Sequence, residues 1–237
     1  MEFITGVYLF FIFVSLYSVF LVLLIYLRNK DRLYFEGEAM TFYDISVVIP
    51  AYNKEDSILE TVNAVKNMDY PKDKIEIIVV DDGSKDKTAE ITRKIEGIKF
   101  FEKRYNSGKA DTVNFGVKNA RGEIIAVIDA DSYPEKDSFK KMIGYFEDPE
   151  VGAVTASCFV KNTNKLIEKL QAIEYFLIAF GRKILDFVDS VYVTPGSLSM
   201  YRKKLLVEVG GFDTKNITED IEIAWKILKN KYKNRMC

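Results

Sequence analysis

Two acidic residues stand directly after an apolar run near the middle of the sequence. Residues 124–128 read IIAVI, which is typical of a buried strand, and Asp129 and Asp131 continue that run. In an extended backbone, residues i and i+2 point to the same side, so these carboxylates share a face and repel one another unless a cation offsets their charge. Carboxylate oxygens favour hard cations. The pair therefore predicts a site for Mg²⁺ or Mn²⁺, with substrate phosphates completing the shell.

Polar residues also follow two earlier apolar runs. PAYNKE occupies 50–55 at the end of the first run, and DDGS occupies 81–84 after the second. Any one of these segments is equally well explained by ordinary turn-forming and helix-capping residues. Three strand ends that all carry acidic or polar groups favour a functional edge instead.

Two further segments could serve a ligand at the start of a helix. Gly108 and Lys109 begin the helix predicted at 109–120, where backbone N–H groups and an ammonium favour an anion such as a diphosphate. The spacing does not match the phosphate-binding loop G-x-x-x-x-G-K-[ST]. Residues 218–220, Thr-Glu-Asp, begin the last predicted helix, where acids suit the helix dipole. Alternatively one of these carboxylates is a general base, if burial and nearby acids raise its pKa.

The overall composition narrows the chemistry. The chain has 237 residues, with 34 Lys and Arg, 35 Asp and Glu, two Cys and no His. Ser-His-Asp triads, Cys-His pairs and His-ligated zinc are therefore excluded, and acid–base chemistry must use carboxylates, Lys, Tyr or Cys. Two Cys are too few for a disulfide scaffold or a four-cysteine zinc site. The net charge of −1 provides no overall basic field, so no nucleic-acid partner is predicted.

The first segment is predicted to cross a membrane. Residues 7–27 carry no charge, and as a helix they would span about 31 Å, which matches a hydrocarbon core of about 30 Å. A signal peptide would need a basic start, a shorter apolar core and a small-residue cleavage site. Arg28, Lys30 and Arg32 follow at once, which predicts a cytoplasmic C-terminal side. We expect a single-pass protein of the cell membrane, with an anchor and linker at 1–43 and a cytoplasmic domain at 44–237.

The remainder alternates between predicted strands and helices. Strands are predicted at 44–50, 75–80, 99–102, 124–128, 151–159, 190–193 and 199–202. Helices are predicted at 55–67, 87–96, 109–120, 138–146, 165–188, 205–209 and 219–231. This alternation predicts an α/β fold with a mostly parallel sheet flanked by helices. Such sheets bind ligands beyond the C-terminal ends of their strands.

Six motifs occur in an order that resembles one enzyme family. They are VVIPAYN at 47–53, VDDGS at 80–84, NSGKA at 106–110, DAD at 129–131, GS at 196–197 and TED at 218–220. The set resembles processive family 2 glycosyltransferases, whose fold is the Rossmann-like GT-A fold. Within that family it is similar to poly-N-acetylglucosamine, hyaluronan and cellulose synthases, over about residues 44–230.

The resemblance implies a set of donor-binding residues. The residues that correspond to the nucleotide-sugar site are Ala51, Tyr52, Glu55, Asp82, Lys109 and Asp129. Asp82 corresponds to the acid that contacts the uracil, and Lys109 to a basic residue beside the nucleotide. Asp129 and Asp131 match the D-x-D motif, which holds the diphosphate through a divalent cation, Mg²⁺ or Mn²⁺.

The resemblance also implies acceptor-side residues. Asp220 corresponds to the proposed catalytic base, with Glu219 beside it, and Gly196 and Ser197 lie where the acceptor sugar is held. The reaction implied is inverting transfer from a nucleotide-sugar, of the UDP type, to a saccharide or lipid-linked acceptor. A Q-x-x-E-Y element at 171–175 falls in the long helix at 165–188, which we expect mainly to pack.

The sequence departs from the family pattern after the last motif. The family's Q-x-x-R-W motif cannot be present, because the only Gln is Gln171 and the only Trp is Trp225. No second uncharged apolar span follows residue 27, so we expect a C-terminally truncated chain. Three interpretations stay open: the synthase-type transferase, a transferase that loads one sugar onto a polyprenyl phosphate, and an inactive nucleotide-sugar-binding fragment or a subunit that depends on a partner membrane protein.

Overall fold

The structure, a computed structural model, describes residues 2–33 and 41–237. Helix α1 runs from Glu2 to Asn29 and is followed by a short 3₁₀ turn, Lys30–Arg32. The predicted linker over 28–43 falls partly on residues 34–40, which lie outside the described residues. The described domain that carries the motifs therefore begins at residue 41.

Helix α1 is long and apolar, and it is exposed except at Ile25, Tyr26 and Asn29, which are half-buried. Its 28 residues span about 42 Å at about 1.5 Å per residue. Within Phe3–Arg32, the most apolar stretch of 18 residues has a mean hydropathy of 2.6. None of that stretch is buried against the rest of the protein. This helix is long and apolar enough to cross a membrane, and it contains the whole of the predicted span at 7–27.

Seven strands form one mixed, mostly parallel sheet in the order β3-β2-β1-β4-β6-β5-β7. The strands are β1 Ile45–Ala51, β2 Ile75–Asp81, β3 Lys99–Glu102, β4 Ile124–Val127, β5 Val151–Thr155, β6 Ser199–Arg202 and β7 Lys233–Met236. Strand pairs β1–β2, β1–β4, β2–β3 and β5–β7 are parallel, and β6 runs antiparallel to both of its neighbours. The predicted mostly parallel sheet is confirmed.

The register brings the functional strand ends to one edge. Ala51 pairs with Asp81 and Asp81 with Glu102, so β1, β2 and β3 end side by side. Ser199, the first residue of β6, pairs with Val127 and Thr155, the last residues of β4 and β5. Because β6 runs in the opposite direction, the loop before it meets the loops that follow the other strands.

Helices cover both faces of the sheet. They are α2 Ile58–Lys66, α3 Thr88–Arg93, α4 Lys109–Asn119, α5 Ser138–Ile143, α6 Leu166–Asp186, α7 Lys203–Glu208 and α8 Glu219–Lys229. One core cluster packs α2 and α5 on the sheet, and the other packs α4, α7 and α8 on the opposite face. The two continuous apolar layers explain why the strands carry apolar residues on both faces.

Two predicted elements differ in kind from the structure, and the strand predicted at 151–159 is shorter because it ends at Thr155. Residues 190–193 are not a strand: Val191 and Val193 are buried, but the carbonyl of Val191 accepts a hydrogen bond from the Asn234 side chain at 2.9 Å. Residues 233–236, which were not predicted as a strand, form β7 parallel to β5. Its sequence KNRM is mostly polar, so apolar patterning did not reveal it, although Asn234 and Met236 are its buried, alternating residues.

Candidate active site

The loops after β1 and β2 are joined by side-chain hydrogen bonds. The backbone N–H of Asn53 donates to Ser84 Oγ at 2.9 Å, and that of Lys54 donates to Thr88 Oγ1 at 2.7 Å. Glu55 accepts the backbone N–H of Lys87 at 2.8 Å. Two strand-end loops thus form one surface, which positions the predicted residues of the first loop.

The three predicted residues of that first loop differ in exposure. Ala51 is buried and its carbonyl accepts the backbone N–H of Asp82 at 2.8 Å, so it joins the two strand ends. Tyr52 is exposed, and Glu55 is exposed but holds the second loop. Of the three, Tyr52 is best placed to contact a ligand.

Asp82 is almost fully buried at the centre of a network. Its Oδ1 accepts the backbone N–H of Ser107 at 3.0 Å and its Oδ2 that of Gly108 at 2.9 Å. Gly108 has φ 93°, a left-handed conformation that favours glycine and that turns its N–H towards the carboxylate. Lys103 Nζ lies 2.9 Å from Asp82 and 2.6 Å from Asp111. Asp82 therefore holds the start of α4 in place against the end of β2.

The pKa values in this network reflect its charges. Burial alone would raise the pKa of Asp82, but the Lys103 ammonium and the Ser107 N–H together lower it below its ordinary value. Burial would lower the pKa of Lys103, but its bonds to Asp111 and Asp82 raise it. Both groups are charged at neutral pH as a result.

A second ion pair lies across the edge at the first residue of α4. Lys109 Nζ lies 2.6 Å from Asp129 Oδ1 and 3.7 Å from Glu219 Oε1. Burial would lower the pKa of Lys109, but the charges of Asp129, Glu219 and Asp220 raise it above its ordinary value. A permanent ammonium thus stands among three carboxylates that come from two distant parts of the sequence.

Gly196 lies against this pair with no space for a side chain. Its carbonyl accepts the backbone N–H of Asp129 at 2.7 Å. An added Cβ would lie 2.6 Å from Asp129 Oδ1 and closer still to Lys109 Nζ. Ser197, which follows, is half-buried in the same loop. A glycine at this position lets the loop before β6 approach the end of β4.

Asp220 is held at the opposite side of the same cleft. Its carbonyl accepts hydrogen bonds from the backbone N–H and the hydroxyl of Thr194, at 3.2 and 3.1 Å. Its carboxylate accepts the backbone N–H of Ile221 at 2.9 Å. The residues that line this cleft include Lys109, Gly196, Glu219 and Asp220. Four of the predicted site residues therefore share one concave surface.

The D-x-D carboxylates, Asp129 and Asp131, supply only part of the ligand shell of a divalent cation. Asp131 Oδ2 lies 2.5 Å from Lys54 Nζ, and the pair is exposed. Within residues 2–33 and 41–237, no group of three or more acidic or cysteine side chains could hold a metal ion. The two aspartates supply hard oxygen donors at a strand end, which suits Mg²⁺ or Mn²⁺ with the remaining ligands from a substrate. The two carboxylates therefore suit such a cation only together with oxygen ligands from a substrate.

Sequence reasoning missed Lys103, and it misjudged one helix. Lys103 follows β3 directly, at the same edge as the three strand ends that were considered, so its position was a usable signal. Helix α6 was expected mainly to pack, but Gln171 and Glu174 are exposed and Tyr175 is half-buried. Only its last turns hold buried residues, Lys183, Ile184 and Asp186. The packing expectation was wrong for its first three turns.

Comparisons with known proteins identify the family of this chain. The model of the family "Glycosyl transferase family 2" matches residues 46–210. The poly-beta-1,6-N-acetyl-D-glucosamine synthase of Staphylococcus epidermidis is 34% identical over 188 residues, which are 77% of this chain and 45% of that protein. Its namesake from Staphylococcus aureus strain MSSA476 is 34% identical over 194 residues, 80% of this chain and 47% of that protein. The chain spans about half the length of these curated relatives.

Solved structures share the fold. The mannosyltransferase PcManGT from Pyrobaculum calidifontis, in complex with GDP-Man and Mn²⁺, superposes with a TM-score of 0.73 at 25% identity, over 95% of this chain and 65% of that one. S. aureus TarS 1–349 in complex with UDP-GlcNAc superposes with a TM-score of 0.62 at 23% identity, over 82% of this chain and 56% of that one. The second likeness supports the fold alone.

Proposed function

Since the chain belongs to glycosyl transferase family 2, we propose that it transfers a sugar from a UDP-sugar to a saccharide hydroxyl, with inversion at the anomeric carbon. The observation that carries the proposal is the cleft in which Lys109, Glu219, Asp220 and Gly196 meet beside Asp129. It combines a permanent cation for a phosphate with carboxylates for a hydroxyl. The synthase names of the relatives in Staphylococcus support a saccharide acceptor.

The donor lies along the edge formed by β1, β2 and β4. Tyr52 is exposed for contact with the nucleoside, and Asp82 holds the loop at 106–108 that faces it. Lys109 and the backbone start of α4 attract the diphosphate. Asp129 and Asp131 would hold Mg²⁺ or Mn²⁺, which when bound neutralises charge on the departing diphosphate.

Asp220 removes the proton from the acceptor. As the acceptor oxygen loses its proton to the carboxylate, it forms a bond to the anomeric carbon from the side opposite the nucleotide. The bond from that carbon to the diphosphate oxygen breaks, and UDP leaves with the electron pair. Residues 196–197 flank the position of the acceptor, and Glu219 balances the charge of Lys109 at 3.7 Å. General-base assistance of this kind contributes about 10²–10⁴-fold in rate.

Helix α1 anchors this enzyme in the cell membrane. The helix is apolar and largely exposed, and Arg28, Lys30 and Arg32 follow its apolar stretch, which favours a cytoplasmic location for the domain at 44–237. A single pass in the described chain leaves room for a partner membrane subunit that completes the acceptor path. The lipid-phosphate acceptor is the alternative that the product analysis below separates.

The test measures UDP release by the full chain in lipid nanodiscs, with a panel of UDP-sugars and Mn²⁺. We expect Asp220→Asn to lower release by about 10²-fold or more. The matched control, Asp73→Asn, changes an exposed carboxylate at the opposite edge of the sheet, beside the start of β2, and should leave release unchanged. The absence of release with every donor, or equal release by Asp220→Asn and wild type, would refute the proposal.

Product analysis then identifies the acceptor. Chains of several sugars support the saccharide acceptor, and one sugar on a polyprenyl phosphate supports the alternative. Activity that appears only after addition of a membrane fraction supports a partner subunit.

A further inference from the structure

Two buried hydroxyl groups connect the central sheet to the first turn of α8. Tyr201 on β6 and Thr194 in the loop before it are each only 1% exposed. The Tyr201 hydroxyl donates to Thr194 Oγ1 at 2.9 Å, and the Thr194 hydroxyl donates to the backbone carbonyl of Asp220 at 3.1 Å. A threonine hydroxyl can accept one hydrogen bond while it donates another, so the three groups form a continuous chain. We call Tyr201, Thr194 and the Asp220 carbonyl the α8 tether.

Both ends of the α8 tether are held by further contacts. Strand β6, which carries Tyr201, pairs with β4 on one side and with β5 on the other, and the tyrosine ring packs edge-on against Phe212 with centroids 5.6 Å apart. The backbone N–H of Thr194 also donates to the Asp220 carbonyl, at 3.2 Å. Because Thr194 is β-branched, few rotamers are open to its side chain. The tether therefore connects the second residue of α8 to the middle of the sheet.

The loop that carries Thr194 also contacts the donor side of the cleft. Two residues further along, the carbonyl of Gly196 accepts the backbone N–H of Asp129 at 2.7 Å. Between these contacts the Ser199 hydroxyl donates to the carbonyl of Pro195 at 2.7 Å, so a second hydroxyl on β6 holds the loop. This short loop therefore fixes Asp129 and Asp220 relative to one another, although they are far apart in the sequence.

The ring of Tyr201 has apolar neighbours in the cleft. Val113, Val127 and Phe212 line the cleft together with it. A phenylalanine would fill this space equally well, whereas a buried hydroxyl costs free energy unless it is hydrogen-bonded. The contribution that only tyrosine makes at this position is therefore its hydrogen bond to Thr194.

The Tyr201 phenol remains protonated at neutral pH. Burial raises the pKa of its hydroxyl above the ordinary value, and the nearby carboxylates of Asp220 and Glu219 raise it as well. The group therefore acts as a hydrogen-bond donor and not as an acid or base. Any effect of this hydroxyl on the reaction has to pass through Thr194 to α8.

We propose that Tyr201 is a positioning residue for Asp220 and that it acts through the α8 tether. The Asp220 carboxylate lies on the turn that the tether holds, so loss of the Tyr201 hydroxyl frees Thr194 and lets that turn shift relative to Asp129. Displacement of a reacting group by about 1 Å can lower a rate by about 10²-fold. The inference rests on the proposed function, in which Asp220 removes the acceptor proton.

The first test measures kcat and the KM for the UDP-sugar, from UDP release by the full chain in lipid nanodiscs. Tyr201→Phe and Thr194→Val break the tether and should lower kcat by about tenfold, while the KM stays unchanged. Thr194→Ser keeps the hydroxyl and should recover most of the kcat that Thr194→Val loses.

The matched control is Tyr70→Phe. Tyr70 is 4% exposed, and its hydroxyl donates to the backbone carbonyl of Tyr43 at 2.8 Å. It packs in the core cluster on the face of the sheet opposite to Tyr201. The control therefore loses a comparable buried hydrogen bond away from the cleft, and its kcat should equal that of the wild type.

The second test follows backbone hydrogen exchange at residues 218–224 by mass spectrometry and does not depend on sugar transfer. Exchange in this segment should be faster in Tyr201→Phe and in Thr194→Val than in the wild type, because the first turn of α8 opens more often. It should be unchanged in Tyr70→Phe. Unchanged exchange in Tyr201→Phe would overturn the proposal even if kcat falls.

The kinetic outcomes are equally decisive. A fall in kcat as large in Tyr70→Phe as in Tyr201→Phe would indicate a general loss of stability and would overturn the proposal. A raised KM at unchanged kcat would assign Tyr201 to donor binding and would also overturn it. If the wild type releases no UDP with any donor, the proposed function and the role of Tyr201 in it fail together, and the exchange data still decide whether Tyr201 holds α8.

Discussion

The network around Asp82 yields a sharp prediction for Lys103→Met. The substitution keeps an unbranched side chain that is one atom shorter and removes its charge. In the wild-type protein Lys103 Nζ lies 2.9 Å from Asp82, and the two side chains are 14% and 4% exposed. Lys103 also binds Asp111, Ser107 and Thr112. The variant therefore leaves a buried carboxylate without its cation.

The expected loss of stability is about 2–4 kcal/mol. At 2.9 Å and an effective dielectric constant of about 20, the Coulomb attraction is about 6 kcal/mol. Part of this is offset, because the buried ammonium no longer has to be desolvated in the variant. Asp82 also keeps the backbone N–H groups of Ser107 and Gly108, which limits the penalty. The expected loss of about 2–4 kcal/mol therefore overlaps only the lower part of the roughly 3–5 kcal/mol that is typical of a broken buried ion pair.

The assay is urea denaturation of the full chain in detergent micelles, followed by circular dichroism. The control is Lys94→Met, which removes an exposed i,i+4 pair with Glu90 and should cost no more than about 0.5 kcal/mol. The pKa of Asp82 is lowered in the folded state, so its ionisation stabilises the wild type above the unfolded pKa, and this stabilisation is lost as pH falls through the folded pKa.

The difference between wild type and Lys103→Met should therefore be constant around neutral pH and shrink as the pH falls into the acidic range, because Asp82 takes up a proton more readily in the variant. A loss equal to that of the control would contradict the role given to Lys103. So would a large loss that does not change between pH 4 and pH 7, because it would arise from packing rather than charge.

Three further predictions follow from single contacts. In Gly196→Ala, the added Cβ would lie 2.6 Å from a carboxylate oxygen of the ion pair at the end of β4. This variant should weaken UDP-sugar binding about tenfold or more in calorimetry. Gly181→Ala, whose added Cβ meets no atom within 4 Å, should leave binding unchanged. Asn234→Ala should lower the free energy of unfolding by about 1–3 kcal/mol in urea denaturation, because two buried carbonyls lose their hydrogen-bond donor. An unchanged urea midpoint would contradict this prediction. Lys54→Met should lower the Mn²⁺ concentration for half-maximal UDP binding by no more than about fivefold, because the lost pair with Asp131 is exposed; a higher requirement would show that Lys54 serves the nucleotide instead.

The central sheet could be predicted because its signal is local. The apolar runs that became β1, β2 and β4 are buried on both faces, and the parallel order places Asp82 and Asp129 at a common edge. Continuous apolar runs and the residues at their ends are visible in the sequence without knowledge of tertiary contacts. The strand order and the antiparallel direction of β6 could not be predicted, because they depend on pairings between distant segments.

The errors have physical causes in tertiary contacts. β7 is made by its pairing with β5, and its buried Asn234 donates to Val191 and Ala224. A polar residue in such a role carries no apolar signal. For α6, an amphipathic pattern predicts that one side is covered but not what covers it. The pattern alone cannot distinguish a helix on a sheet from one with its apolar side turned outward.

The hydrogen bond from the backbone N–H of Asp129 to the carbonyl of Gly196 joins two parts of the fold that come from separate stretches of the sequence. Nearly all of the donor-side loops come from residues before 132, and the acceptor-side segments come from residues after 190. The two meet at this hydrogen bond, along the pairing of β4 with β6, at the Lys109–Glu219 contact and at the hydrogen bonds between Asn114 and Phe212. Such a layout is modular: on the proposed assignment, exchange of the later segment between family members could change the product while the nucleotide-sugar stays the same. These contacts, and the glycine at 196, would have to be kept.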